Sequence, residues 1–407
     1  MYNLEKQPVI NIGLLGSVSH GKSTLVKLIS GKATQQHSKE KVRNITMKVG
    51  YANAKIWLDT SNELVHSTGE EYISDAKLVH HFSFVDCPGH HELIDTMMSG
   101  ATVMDGGIVV VAGNLPPSSQ PQLYQHLLTA KLLGLTNLIF ILNKLDLVNE
   151  EMAKERYYEL KEFLEEKGFE DDYLIIPMAL NLGLNKKYLL QAIMEKFPPT
   201  NKQNDLSLNF AITRSFDLNK PGITPDKLKG GAVGGSLISG EMKIGDEIEI
   251  RPGQVKFDKT KNQWFAKPFT SKVVSLFSEK TSLDTIIPGG LMAVGLEIDP
   301  YFTKNDSMKG QILGRKDEMD DIYYEITLQT ETLEDYKIQN KIYHLQIGAN
   351  SIKGKVKSIK KNRVEFILSK PSVIDSDKKI FICDKIDNVT TIIALGSFND
   401  GKTVNLI

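Results

Sequence analysis

The sequence predicts an α/β domain, a mostly parallel sheet with helices on both faces, followed by two β-barrel domains. Three observations carry this. Short apolar runs alternate with helical-period segments through the first 200 residues, as in sheets built from strand–helix–strand units. Beyond residue 198 the helical period vanishes, and short alternating segments are punctuated by Gly230-Gly231, Gly234-Gly235 and Gly289-Gly290, the pattern of barrels. The chain has 407 residues, 41% hydrophobic and 24% charged, an ordinary globular composition with room for two or three domains.

The elements follow in order. Residues 9–15 (VINIGLL) form a buried-strand run, and 82–86 (FSFVD), 108–112 (IVVVA), 138–142 (LIFIL) and 174–177 (LIIP) form further strands. Between them Leu25, Leu28 and Ile29 share a helical face, with Gly31 where a C-cap belongs. Residues 150–167 place Ala153, Tyr157, Leu160 and Leu164 on one face and end at Gly168; 187–197 do the same with Leu190, Ile193 and Phe197. Pro198-Pro199-Thr200 and the polar stretch after it read as a linker. The expected domains are 1–200, 207–313 and 318–407.

Charge and cysteine content narrow the class. Lys plus Arg number 49 and Asp plus Glu 50, a net charge of −1 that excludes a polybasic protein but not a local basic patch. Two cysteines, Cys87 and Cys383, exclude a disulfide framework and a four-cysteine zinc site. No apolar run approaches the roughly 18 residues of a membrane span, and MYNLEKQPVI lacks a signal-peptide core. A cytoplasmic protein without membrane association is expected.

Residues 16–23 read GSVSHGKS, which is G-x-x-x-x-G-K-[ST] between a strand and a helix. Gly16 and Gly21 allow the tight turn that aims backbone N–H groups of Ser19, His20, Gly21 and their neighbours at a polyphosphate. The helix that follows, with Thr24 in its first turn, adds a positive end. Lys22 would neutralise phosphate oxygens, and the Ser23 hydroxyl would ligate Mg²⁺, which prefers oxygen. Asp86-Cys87-Pro88-Gly89-His90 closes a strand; Asp86 suits Mg²⁺ through water and Gly89 offers an N–H to a γ-phosphate. Asn143-Lys144-Leu145-Asp146 names the base. Asp146 can accept from guanine N1–H and N2–H₂, which adenine does not supply. The expected nucleotide is GTP rather than ATP.

With these motifs in place, the chain resembles the translational GTPases of the elongation factor Tu-like superfamily. Among them it is most similar to the gamma-subunit family of eukaryotic and archaeal translation initiation factor two, in a compact, divergent eukaryotic form. Arg43-Asn44-Ile45-Thr46 and VGYANAKIW at 49–57 look like that family's switch-one region; elongation factor Tu relatives carry Gly-Ile-Thr there. RSFDLNKPG at 214–222, LKGGAVGGSL at 228–237, KVVSLF at 272–277 and PGGLMAVGLEIDP at 288–300 resemble its second domain. The resemblance implies a GTPase that carries initiator methionyl-tRNA to the small ribosomal subunit in the GTP state. It implies alpha and beta subunits as partners in a heterotrimer, with GTPase-activating and nucleotide-exchange factors. Thr46 matches the switch-one Mg²⁺ ligand that senses the γ-phosphate, His90 the histidine that positions the attacking water, and Val18 and Ile45 the apolar gate beside it. The implied catalytic set is His90, Lys22, Thr46 and Gly89. No residue suggests an intrinsic arginine finger, so hydrolysis is expected to be slow without an activating partner.

Four departures qualify the match. Ser17 stands where the family has a histidine. Met178-Ala179 replaces a Ser-Ala guanine contact, leaving Ala179 and Leu180 to offer backbone donors, so GDP is expected to bind more weakly and Met178→Ser to restore affinity. The family's cysteine cluster is absent from 58–81; His66, His80 and His81, with Glu63, Glu70, Glu71 and Asp75, read as solvated polar residues, and no structural zinc is expected. The third domain drifts, though Lys353, Lys355, Lys357, Lys360, Lys361, Arg363 and Lys370 against Glu365 form a basic stretch that suits either RNA phosphates or a solvated hairpin. Tyr51 and Arg214 are candidate contacts for the tRNA 3′ end, each equally readable as a strand aromatic and a surface arginine, while Trp57 and Trp264 read as packing residues. Two other readings stand beside the carrier: an elongation-factor-like aminoacyl-tRNA carrier and a GTP-binding scaffold that does not hydrolyse.

Overall fold

The computed structural model describes residues 4–33, 49–59, 64–69, 71–88, 94–169, 173–199, 206–219, 222–224, 228–333, 336–386 and 389–407. The chain divides into two compact units, Met1–Asn201 and Lys202–Ile407.

The first unit holds strands β1 (Ile10–Leu15), β2 (Gly50–Leu58), β3 (Leu64–Thr68), β4 (Lys77–Asp86), β5 (Gly106–Ala112), β6 (Leu138–Asn143) and β7 (Leu174–Pro177). Its helices are α1 (Lys22–Ser30), α2 (Ile94–Ala101), α3 (Pro121–Leu132), α4 (Glu150–Glu166) and α5 (Lys186–Lys196). The sheet order is β3-β2-β4-β1-β5-β6-β7. Strands β4, β1, β5, β6 and β7 run parallel, while β2 runs antiparallel to both of its neighbours, β4 and β3. Every residue of β1, β5 and β6 is buried. Because alternate side chains point to opposite faces, such strands need cover on both.

All five expected strands are present. The antiparallel pair β2–β3 was not expected; the segment read as switch-one sequence continues as β2. On it Trp57 is buried and donates from Nε1 to Thr68 Oγ1 at 2.9 Å, the packing role expected of it. Helix α1 ends at Gly31, whose φ of 70° lets its N–H reach Lys27 O at 3.0 Å. Helix α4 begins under the Asn149 side chain, which accepts the Met152 N–H at 2.8 Å. Leu25, Val26 and Ile29 of α1 and Leu189, Leu190 and Ile193 of α5 close one core with Ile12, Ile108, Ile139 and Ile141 of the sheet.

The second unit holds both barrels. In the first, Glu247–Asp258, Ile312–Gly314, Asn209–Phe216, Ala232–Ser239, Met292–Leu296 and Gln263–Ser278 pair in that order, and the last returns to the first. Glycine is needed at close approaches: a Cβ on Gly235 would lie 1.9 Å from Ala211 O, and one on Gly230 would lie 1.9 Å from Leu296 O. The second barrel closes through Ile322–Thr332, Arg363–Val373, Asn350–Lys360, Ile342–Ile347, Lys379–Ile386 and Val389–Thr403. Each barrel has its own apolar interior.

A third cluster joins the barrels: Ala266, Ile322, Val373 and Val404, with Trp264 and Tyr324 packed on it. Arg251 is buried, pairs with Glu249 at 2.6 Å and donates to the carbonyls of Met319 and Asp320 in the connector. Residues Asn405–Leu406 return from the second barrel to pair in parallel with Phe265 and Ala266 of the first.

Candidate functional site

The loop from Gly16 to Lys22 joins β1 to α1 at the carboxyl end of the sheet, where ligands bind in open α/β folds. Its shape depends on glycine at two points. Gly16 has φ 130° and Gly21 has φ 112°; a Cβ would lie 2.2 Å from Val110 O at the first and 2.4 Å from the Asn143 amide nitrogen at the second. Contacts from three neighbouring elements hold the loop. The Gly16 N–H donates to His126 Nδ1 of α3 at 2.7 Å, and His20 Nδ1 donates to Val110 O of β5 at 3.1 Å. The Asn143 amide, at the end of β6, donates to His20 O at 2.8 Å and accepts the Leu180 N–H at 3.0 Å. Asn143 therefore ties the loop to the segment after β7.

Lys22 is buried and caps the loop from within, donating to Gly16 O at 2.6 Å and Ser17 O at 2.9 Å. Burial lowers its pKa to about 8, against the pull of Asp86. A desolvated cation facing loop carbonyls has much to gain from an anion. Burial likewise lowers the His20 pKa to about 4, so its ring is neutral near pH 7. The Ser23 hydroxyl donates to Asp86 Oδ2 at 2.9 Å. Two hard oxygen donors, one an anionic carboxylate inside the fold, thus meet beside the lysine, and this donor set fits Mg²⁺.

On the base side, Lys144 adopts φ 67° and turns the chain after β6 into the short helix Leu145–Leu147, on which Asp146 is exposed. Ala179 and Leu180 are buried beside Asn143. Ser19 is exposed at the loop tip with φ 63°, and Thr24 is half-buried in the first turn of α1.

Met178 departs from expectation. Its side chain is fully buried in the core formed by the sheet, α1 and α5. Its backbone links the strand ends, N–H to Leu142 O at 2.8 Å and O from Leu145 N–H at 3.2 Å. The side chain packs in that core.

The histidines of β4 also differ from their reading as solvated residues. His80 and His81 are 1% and 3% exposed. His80 Nε2 donates to Phe197 O at 2.6 Å and His81 Nδ1 to Leu4 O at 2.7 Å. The reason is tertiary: consecutive side chains of a strand point to opposite faces, and here one meets the segment after α5 at Phe197 and the other the segment before β1 at Leu4. Among the described residues no group of three His, Cys, Asp or Glu side chains could hold a metal.

Arg43, Asn44, Ile45, Thr46, Glu63, Glu70, Gly89 and His90, and the side chain of His66, lie outside the described residues. Tyr51 is half-buried on β2 opposite Val85. In the second unit Arg214 pairs through Nε with Asp306 at 2.8 Å and lies over the Phe216 ring, 5.0 Å from its centroid. In the second barrel Lys353, Lys355 and Lys357 project outward in alternation. Lys357 is held by Glu325 and Glu365 at 2.8 Å each, and Arg363 by Asp400 at 3.3 Å.

His126 is the residue sequence reasoning missed. It sits on a helix more than 100 positions from the loop it contacts, and no motif marks it. A cavity of about 300 Å³ lined by Leu138, Phe140, Phe169 and Tyr173 opens at the opposite ends of β6 and β7 and is separate from this site.

Comparison with known proteins agrees with this geometry. The elongation factor Tu GTP binding domain family matches residues 7–199, and the family described as initiation factor eIF2 gamma, C terminal, matches 325–398. Eukaryotic translation initiation factor 2 subunit 3 of Drosophila melanogaster is 36% identical over 435 residues, covering 98% of this chain and 90% of the relative. Subunit gamma of the same factor from Schizosaccharomyces pombe is 35% identical over 432 residues, covering 99% and 96%. That of Encephalitozoon cuniculi is 35% identical over 421 residues, covering 98% and 95%. Two solved structures share the fold. A bacterial selenocysteine-specific elongation factor EF-Sec has TM-score 0.73 at 23% identity, covering 96% of this chain and 58% of that longer one. The elongation factor SelB of Methanococcus maripaludis, in complex with the GTP analogue GppNHp, has TM-score 0.73 at 19% identity, covering 98% and 80%. The chain is a translational GTPase and belongs to the gamma-subunit family of eukaryotic translation initiation factor 2.

Proposed function

We propose that this chain carries initiator methionyl-tRNA to the small ribosomal subunit while GTP is bound, and releases it after hydrolysis to GDP and phosphate. The observation that supports the nucleotide site most is the meeting of Lys22, Ser23 and Asp86 at a loop that Asn143 ties to the base side. In this reading Gly16, Ser19, His20, Gly21, Lys22, Ser23 and Thr24 surround the phosphates. Asn143, Lys144, Ala179 and Leu180 form the base pocket, and Asp146 accepts from guanine.

Ser23 and Asp86 would hold Mg²⁺ with Thr46. The ion, when bound, neutralises phosphate oxygens. The Lys22 ammonium leaves the loop carbonyls and donates to β- and γ-phosphate oxygens. His90 positions the attacking water and Gly89 donates to the γ-phosphate. Positioning and charge stabilisation do the chemistry, so hydrolysis stays slow until a partner completes the site. Thr46 and Gly89 hold their loops only while the γ-phosphate is present, and that order–disorder change sets tRNA affinity.

The partners in this reading are the alpha and beta subunits, GTPase-activating and exchange factors and the small ribosomal subunit, in the cytoplasm. Among the described residues no helix is long and apolar enough to cross a membrane. The test is binding of methionyl-initiator-tRNA and of an elongator aminoacyl-tRNA, each with a GTP analogue and with GDP. A large GTP preference confined to the initiator supports the carrier. Equal binding in both nucleotide states removes it.

A further inference from the structure

We propose that His126 on α3 is a positioning residue for guanine-nucleotide binding, acting through the first glycine of the loop 16–23. The inference rests on the reading of that loop as the phosphate site.

The Gly16 N–H lies at the end of a fully buried strand, and a buried N–H must find an acceptor. It finds His126 Nδ1 at 2.7 Å, on a ring that is 2% exposed. A backbone N–H can only donate, so Nδ1 carries no proton and the neutral ring holds its hydrogen on Nε2. Burial supports this state by pushing the ring's pKa down to about 3. The contact therefore persists across the physiological range.

Its consequence runs through Gly16 to the lysine. The N–H of Gly16 belongs to the peptide plane before its Cα, and its carbonyl to the plane after it. The first is held by His126 and the second accepts from Lys22 Nζ at 2.6 Å. At φ 130° Gly16 occupies a region open to glycine alone, with no intrinsic preference to hold it there. His126 thus fixes the near side of the residue whose far side holds the phosphate-seeking ammonium. Helix α3 is itself anchored. The Gln120 amide donates to the carbonyls of Ala112, Leu115 and Pro116 at 3.2–3.4 Å, fastening the helix start to the end of β5.

A residue that merely satisfies a buried donor affects stability alone. A positioning residue also changes how long nucleotide stays. The experiment measures dissociation of a fluorescent GDP analogue from the full-length wild type, His126→Leu, His126→Asn and Lys22→Ala, at a temperature where all are folded. Leucine removes the acceptor, whereas asparagine places an amide oxygen near the former Nδ1. We expect His126→Leu to release the analogue about tenfold faster, the scale of one lost hydrogen bond, and His126→Asn to stay within about threefold of wild type. Should the leucine protein fail to fold, His126→Gln, whose oxygen is displaced by one bond, takes its place with the same expectation. Release from the variant at the wild-type rate, or asparagine behaving like leucine, overturns the inference. Wild type that binds no GDP analogue, or Lys22→Ala that binds it unchanged, overturns the phosphate-site reading and this inference with it.

Discussion

Asp146 and Met178 were candidates for the same base pocket, and the structure separates them. Asp146 is exposed on the turn after β6, its carboxylate available to a ligand. Asparagine there would set a donor against a guanine donor. Asp146→Asn should weaken GDP binding by at least about 100-fold and leave thermal unfolding of the nucleotide-free protein unchanged; titration calorimetry and a melting curve check both. Met178 is fully buried. Serine there would leave a cavity and strand a hydroxyl, so Met178→Ser should cost roughly 2–4 kcal/mol of stability in urea unfolding without tightening GDP. That reverses the expectation drawn from sequence alone. Lys22, Ser23 and Asp146 were legible because each sits inside a short contiguous motif whose chemistry is local. The orientation of Met178 was not, since a side chain after a strand can face the core or the ligand with the same neighbours in sequence.

Strand β4 shows the same limit at the scale of an element. Its end at Asp86 was readable from the apolar run before it, but its buried histidines were not, because the segments that cover them, at Phe197 and Leu4, lie far away in sequence. The structure gives those histidines a pH signature. Burial holds the His81 ring at a pKa of about 3 and lowers His80 as well. Between the unfolded value near 6.5 and the folded value, the unfolded chain binds a proton that the folded chain refuses. Stability is therefore full above about pH 6.5 and falls as pH drops through that window. His81 alone should remove about 2 kcal/mol between pH 7 and pH 5. Chemical denaturation at the two pH values should show the loss, and His81→Gln should shrink it by that share while His80, His20 and His126 keep the rest.

In the whole molecule, the two barrels are joined more closely than two separate sequence domains suggest. Val404 fills the cluster between them and Asn405–Leu406 adds a strand to the first barrel from the end of the second. Deleting residues 404–407 should lower the stability of the two-barrel unit by roughly 3 kcal/mol, from one buried valine and the lost strand pairing. It should leave guanine-nucleotide affinity unchanged. A denaturation curve and a GDP titration of the truncated chain test the two halves of that statement.

The sequence by itself determined the class of the molecule. Apolar period set the parallel sheet, paired glycines marked the barrels, and three short motifs pointed to a GTPase. All of these are local, read within a few residues of one another. Only the tertiary structure decided that the Met178 side chain packs in the core, that His80 and His81 are interior, that the chain's end stitches the barrels together, and that His126 holds Gly16. Each of those depends on which distant segment supplies the buried partner of a polar group or an apolar side chain. For these residues burial is a property of the assembled sheet and barrels, and the residues beside them in sequence carry no mark of it.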